Sequence, residues 1–151
     1  MEPKLYWDDI EEGSEIPTFE RTTDYMSWNR YAAVNDEFVY IHMDPAAAKA
    51  AGQPDTFGMG NLRLAYLHNM LRAWIGDTGW IQKVGVQYRQ LNFKGDQFTC
   101  HGKVMRKYEA DGKHLIDLDL SVMNQKGENT TPGTATVILP ARANPKPRVW
   151  E

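Results

Sequence analysis

The sequence predicts an α+β domain in which one antiparallel sheet wraps a long helix, and two patterns predict it. From Gly58 to about Gly76 the residues Met59, Leu62, Tyr66, Leu67, Met70, Leu71, Trp74 and Ile75 recur at three- and four-residue intervals, the period of a helix that buries one face. Beyond Gly79 the period becomes two: Phe98, Cys100, Gly102 and Val104 form one run, Ile116, Leu118, Leu120 and Val122 a second, and Ala135, Val137 and Leu139 a third. Asp111-Gly112 and Lys126-Gly127 separate these runs, and both are turn dipeptides of the kind that join antiparallel strands.

Upstream of the long helix, TTDYMSWNRYAAVN offers Thr23 as a cap and carries Met26, Tyr31 and Val34 at helical spacings, which predicts a short helix. It delivers Asp36 and Glu37 at its C-terminal end. Asp44, Pro45 and the run AAAKAAG predict a second small helix, with an acidic N-cap, proline in the first turn and Gly52 as the stop. No internal repeat or low-complexity segment interrupts the chain, so a single domain over residues 1–151 is expected. Its end, residues 140–151 with the proline-bearing ANPKPRVWE, reads as an extended tail without a core of its own.

Composition narrows the function classes. A chain of 151 residues is the size of one domain and buries roughly two thirds of its unfolded surface. The net charge of -3 comes with scattered rather than clustered Lys and Arg, which argues against nucleic acid or an anionic membrane as partner. One cysteine, Cys100, allows no intrachain disulfide and no cysteine-based metal cage, and fits a reducing, cytoplasmic setting. The N-terminus is acidic, without a signal-peptide pattern, and no apolar run approaches the roughly 18 residues of a membrane span.

The segment NDEFVYIHMDP, Asn35 to Pro45, carries the chemistry. Asp36 and Glu37 lie a few residues before His42 in an otherwise apolar run. A carboxylate and an imidazole so placed can share one water and divide the transfer of its proton, the equipment of a hydratase or dehydratase. For His42 alone the bland alternative is a satisfied histidine near a loop, and the nearby acids together with the ordered motifs downstream outweigh it. Asp44, with Pro45 directly after it, reads as a cap rather than an acid catalyst.

In this order the pieces resemble the MaoC-like family of hotdog-fold hydratases, typified by (R)-specific enoyl-CoA hydratases. The resemblance rests on EFVYIHMDP, on the alanine-rich helix, on FGM at Phe57 to Met59 where the family has a His-Gly-Met turn, on YRQLNFKGD from Tyr88 to Asp96 as an aromatic-Arg strand running into a Gly-Asp turn, and on VILP as a closing strand. It covers nearly the whole chain. Three positions depart from the pattern: Val39-Tyr40 replaces Asn-Pro, Phe57 replaces the turn histidine, and Leu91 replaces the strand proline.

The resemblance implies a hotdog fold, a 2-enoyl thioester of coenzyme A as substrate and reversible addition of water to give a 3-hydroxyacyl thioester of R configuration. His42 would take the water's proton, and Glu37, at the family's spacing from His42, or Asp36, one residue earlier, would orient that water and protonate C2. The N-H of Gly58, read as the entry to the long helix, is the candidate donor to the enolate-like oxygen. Arg89 and Lys94 are the candidates for the coenzyme A phosphates. No metal and no cofactor beyond the substrate's own coenzyme A is implied, and the expected assembly is a homodimer, with a heteromer of related hotdog subunits as alternative. If neither acid reaches the water, the chain is a silent subunit supporting an active partner. A thioesterase on this fold would carry its acid on the central helix, where this chain has none between Gly58 and Ile75.

His68, His101 and His114 lack convergent partners in sequence and read as structural. Cys100 alternates with core residues and reads as a buried, inert thiol.

Overall fold

The computed structural model describes residues 3–145. Its elements are β1 (Phe19–Thr22), α1 (Tyr25–Asn35), α2 (Pro45–Ala50), α3 (Gly60–Ile75), β2 (Trp80–Val86), β3 (Gln97–Ala110), β4 (Lys113–Asn124) and β5 (Gly133–Ile138). Two single 3-10 turns, Trp7–Asp9 and Tyr40–His42, complete the list. The five strands form one sheet in the order β1-β3-β4-β5-β2, with every neighbouring pair antiparallel.

Helix α3 packs into the curl of this sheet because its apolar stripe and the inward residues of the strands have nowhere else to exclude water. Leu62, Leu67, Met70, Leu71 and Ile75 meet Phe98, Cys100, Val104, Ile116, Leu118, Leu120, Val122, Ala135 and Val137 in one buried cluster. The three predicted alternating runs lie on β3, β4 and β5 and point inward, with Leu139 buried one residue past the end of β5. The β3-β4 hairpin closes through Asp111 (φ 51°) and Gly112 (φ 69°), the two consecutive left-handed residues that match the strands' twist.

The local signals around α2 are realised as expected: the Asp44 carboxylate accepts from the Ala46 N-H at 2.8 Å and Pro45 opens the helix. Around α1 they are shifted. The cap is Asp24, whose carboxylate accepts from the Ser27 N-H at 2.7 Å, while the expected cap Thr23 is buried and donates its hydroxyl to the Phe93 carbonyl at 2.7 Å. The buried face of α1 is Trp28 and Ala32, leaving Met26 at 67% and Val34 at 79% exposure. One indole buries far more apolar area than either of those side chains, so it decides the rotation of a helix with a weak apolar stripe.

Two further expectations are corrected. Tyr88 to Asp96 is not a strand; apart from a single bridge between Phe93 and Phe57 it is an irregular strap. The stretch expected as tail starts packed: Pro140 and Ala141 are buried, and the Trp7 N-H donates to the Pro140 carbonyl at 2.8 Å. The end of that stretch, residues 146–151, lies outside the described residues.

Candidate active site

The acid-His segment begins where α1 stops. Asp36 takes the left-handed conformation (φ 53°) that ends a helix, its N-H returns to the Ala32 carbonyl, and its side chain is exposed. Glu37 follows, half-buried, with its own N-H also on Ala32 O at 3.0 Å. The chain then runs through Phe38 and Val39 into the Tyr40–His42 turn, which ends with the His42 ring half-buried. The apolar residues between acid and imidazole face outward rather than enclosing the carboxylate, with Phe38 at 60% and Tyr40 at 76% exposure.

His42 is oriented by backbone. Its Nδ1 lies 2.7 Å from the Phe57 carbonyl oxygen, and its ring meets the Phe57 ring edge-on with centroids 4.9 Å apart. A carbonyl oxygen only accepts, so Nδ1 carries the hydrogen and Nε2 of the neutral ring keeps its lone pair. That is the tautomer of a general base, obtained with a backbone acceptor and no carboxylate. Phe57 stands where the resembling family has histidine, and its ring packs on His42 instead.

Gly58 does not play the part expected of it. Its N-H is committed to the Asn92 carbonyl at 2.8 Å, and α3 starts only at Gly60. Its lack of a side chain is required by packing: a Cβ would lie 2.2 Å from Asn92 Nδ2 and 2.8 Å from Trp28 Nε1. The unengaged donors are those of the helix's first turn, Gly60 and Asn61, which have no intrahelical acceptor, and Met59 supplies no side-chain cap. Gly60 is held open by a different neighbour, the Tyr88 ring, 3.1 Å from where its Cβ would sit.

Tyr88 and Tyr31 connect the acid to this helix entry. Burial raises the Tyr88 pKa first, Arg63 opposes that rise and the Glu37 charge adds to it. Burial raises Tyr31 too, followed by the charges of Glu37 and Tyr88. Glu37, Tyr31 and Tyr88 therefore share one electrostatic neighbourhood. The Tyr88 hydroxyl donates to Asn61 Oδ1 at 2.8 Å, which fixes the phenol over the first turn of α3. Sequence reading assigned no site role to Tyr31, Asn61, Tyr88 or Asn92: Tyr31 entered it as a helix residue and Tyr88 and Asn92 as part of a strand motif, and each acquires its role by contact.

A cleft of about 960 Å³ runs between α1 and α3, lined among others by Tyr31, Asn35, Asn61, Leu62 and Tyr66. Asp36, Glu37 and His42 are not in its lining; the cleft meets the acid-His segment at Asn35, and Tyr31, which lines the cleft, feels the Glu37 charge. Arg89 and Lys94 are exposed at opposite parts of the strap. The Arg89 guanidinium donates to the Gln87 side chain, and the Lys94 ammonium sits 4.7 Å from the Tyr25 ring centroid. Neither contact brings them to His42 or the acids.

Among the described residues no group of three or more His, Cys, Asp and Glu side chains is placed to hold a metal ion. Burial pushes the Cys100 thiol up to about 12, so it stays protonated and unreactive near neutrality. His114 lies 3.9 Å from a Glu109 oxygen and against the Trp7 ring, outside the site. No helix is long and apolar enough to cross a membrane, among the described residues.

At the sequence level no family model and no curated protein matches the chain. Solved structures do match in fold. An R-hydratase, PhaJ1 from Pseudomonas aeruginosa, superposes with a TM-score of 0.83 at 17% identity, covering 93% of this chain and 88% of that one. A MaoC-like dehydratase from Rhodospirillum rubrum gives 0.77 at 16% identity, over 91% and 98% of the two chains. A chain of the ChsH1-ChsH2 complex from Mycobacterium tuberculosis gives 0.74 at 21%, over 85% and 98%. The protein has the hotdog fold of the MaoC-like dehydratases and R-hydratases.

Proposed function

We propose that the protein is a hydro-lyase that adds water reversibly to a 2-enoyl thioester of coenzyme A, giving a 3-hydroxyacyl thioester of R configuration. The observation that carries this reading is the His42 imidazole, held through Nδ1 by the Phe57 carbonyl and thereby left with a basic Nε2. His42 Nε2 takes a proton from water as its oxygen attacks C3, and a carboxyl group of the same segment delivers a proton to C2. Glu37 is preferred over Asp36 for that delivery, since it is the half-buried acid and its charge reaches Tyr31 and Tyr88, while Asp36 is exposed and serves as the helix terminator.

The thioester oxygen gains negative charge as the bond to water forms. The N-H groups of Gly60 and Asn61, at the positive end of α3, are the donors this reading assigns to it in place of Gly58. Arg89 and Lys94 remain the candidates for the coenzyme A phosphates only as exposed cations of the strap. The assay is loss of enoyl absorbance with crotonyl-CoA and a panel of longer and bulkier enoyl-CoAs, with the product's configuration read by coupling to a stereospecific dehydrogenase. Turnover of any panel member that disappears in His42→Ala supports the reading, and the absence of turnover across the panel overturns it for the isolated chain.

A homodimer is proposed as the working assembly, formed through the outer edge of β2, whose residues 81–86 have β5 as their one neighbouring strand among the described residues. A second reading has one specific support: Phe38, Val39, Tyr40 and Met43 leave the acid-His segment flanked by exposed apolar side chains, as a surface awaiting a different hotdog subunit would be. On that reading the chain supports an active partner. Full activity of the purified chain by itself excludes it.

A further inference from the structure

Arg63 is the least expected side chain of the interior. It lies on α3 among core residues and is 2% exposed. Its guanidinium donates from Nη1 to the Gln90 carbonyl at 2.8 Å, and its Nε has no acceptor. Among the described residues no carboxylate lies within ion-pairing distance of it. The Tyr88 and Phe98 rings face the charge at 5.4 and 6.0 Å, which returns only part of the hydration lost. Arginine does not escape this cost by shedding its proton. A well-packed apolar side chain in the same place is commonly neutral or stabilising relative to a buried charge. Stability of the fold therefore gives no reason for Arg63.

What it holds does give one. The strap crosses the start of α3 and is tied at alternate residues to it and to the turn just before it: the Tyr88 hydroxyl to Asn61, the Gln90 carbonyl to Arg63, and the Asn92 carbonyl to the Gly58 N-H. That last N-H and the Phe57 carbonyl belong to one peptide group. The group is planar and rigid, so fixing its N-H on Asn92 fixes the direction of its carbonyl, which is the acceptor for His42 Nδ1 at 2.7 Å. Strap, peptide plane and imidazole form one hydrogen-bonded chain, Asn92 O to Gly58 N-H to Phe57 O to His42 Nδ1, in which each bond polarises the next. The middle tie of the strap is the arginine.

We propose that Arg63 is a positioning residue: by clamping Gln90 it seats the strap whose Asn92 carbonyl fixes the Phe57–Gly58 peptide plane, and through that plane the Nδ1-H tautomer of His42. This rests on the reading of His42 as the base, but the tautomer is measurable without any substrate. The chain has four histidines, so the His42 imidazole nitrogens can be assigned by their absence in His42→Ala. In the wild-type protein above the ring's titration, 15N shifts should report the Nδ1-H form as the dominant species.

Arg63→Met should convert that signal to a mixture of tautomers while leaving the unfolding midpoint equal or higher, and should lower kcat on the accepted enoyl-CoA at least about tenfold with KM within about twofold. Arg63→Gln, neutral and too short to reach the Gln90 carbonyl, should do the same and serves if the Met variant does not fold. Arg63→Lys, which keeps the charge and one donor, should recover most of the wild-type tautomer and turnover. Wild-type tautomer and kcat in the Met or Gln variant overturn the proposal, as does a loss of stability in all three variants with the His42 signal unchanged. If the tautomer shifts as expected but wild-type protein turns over no enoyl thioester, the positioning role stands and the hydratase reading falls.

Discussion

His42 has a base's geometry because a carbonyl, rather than a second acid, sets its tautomer. Removing it should therefore abolish proton abstraction without unpicking the fold, since among the described residues the half-buried ring makes a single hydrogen bond and one ring contact. We expect His42→Ala to lower hydration kcat by at least about a hundredfold with an unchanged circular dichroism spectrum. Near-wild-type turnover in that variant removes His42 from the mechanism. Between the acids, Glu37→Gln should harm kcat more than Asp36→Asn, because the amide keeps the shape and loses the transferable proton at the half-buried position. The reverse order of kcat values would move the acid role to Asp36, and equal small effects would favour the silent-subunit reading. Gly58 belongs to packing: even Gly58→Ala should destabilise by about 1–3 kcal/mol through overlap with Asn92 and Trp28, measured as a lower midpoint in urea. An unchanged midpoint would mean that the indole and amide move aside freely.

At the scale of elements, the site is assembled by three ends rather than by any element's length. The C-terminus of α1 presents the acids, the 3-10 turn presents the histidine, and the start of α3 offers unengaged N-H groups under the Tyr88 ring. The far end of α1 is fixed by Asp24, whose side-chain and backbone hydrogen bonds from Ser27 hold its carboxyl below the ordinary aspartate value of 3.8. A depressed folded-state pKa contributes stability that is fully present above the unfolded value and lost as pH falls through the folded one. Asp24→Asn should therefore lower the thermal midpoint at neutral pH, and the difference from wild type should vanish at a pH well below 3.8. A difference that persists unchanged in strong acid would assign the effect to the amide's geometry rather than to the lost charge.

At the scale of the whole molecule, the sheet of the described residues has two edges, β1 with four residues and β2 with seven. The shorter edge is followed directly by α1, while β2 is the longer edge of the sheet among the described residues, and long edges are where sheets recruit a second copy. The proposed isologous dimer predicts a mass of twice 17.3 kDa by light scattering at micromolar concentration. A monomer at every concentration would remove the homodimer and favour a heterologous partner for the exposed Phe38 and Tyr40.

Fold class, the long helix, the small capped helix, three inward-facing runs and the acid-His segment are all legible in the sequence, because each depends on residues within a few positions of one another: a period, a cap, a turn dipeptide. Where two local signals compete at short range, as between Thr23 and Asp24 for the cap or Val34 and Trp28 for the buried face, packing against the sheet decided. The tautomer of His42 depends on a carbonyl 15 residues away, and the strap on an arginine 27 residues from its acceptor. No periodicity encodes such pairs. Sequence alone named His42 as the candidate base and Asp36 and Glu37 as the candidate acids. Only the tertiary structure decided that Gly58 is a packing glycine with a committed N-H, that the aromatic-Arg segment is a strap, and that a buried arginine bonds that strap, whose Asn92 carbonyl holds the peptide group facing His42. The physical reason is that hydrogen bonds between distant segments are set by how the helix seats in the sheet, a property of the whole buried surface and of no stretch of sequence within it.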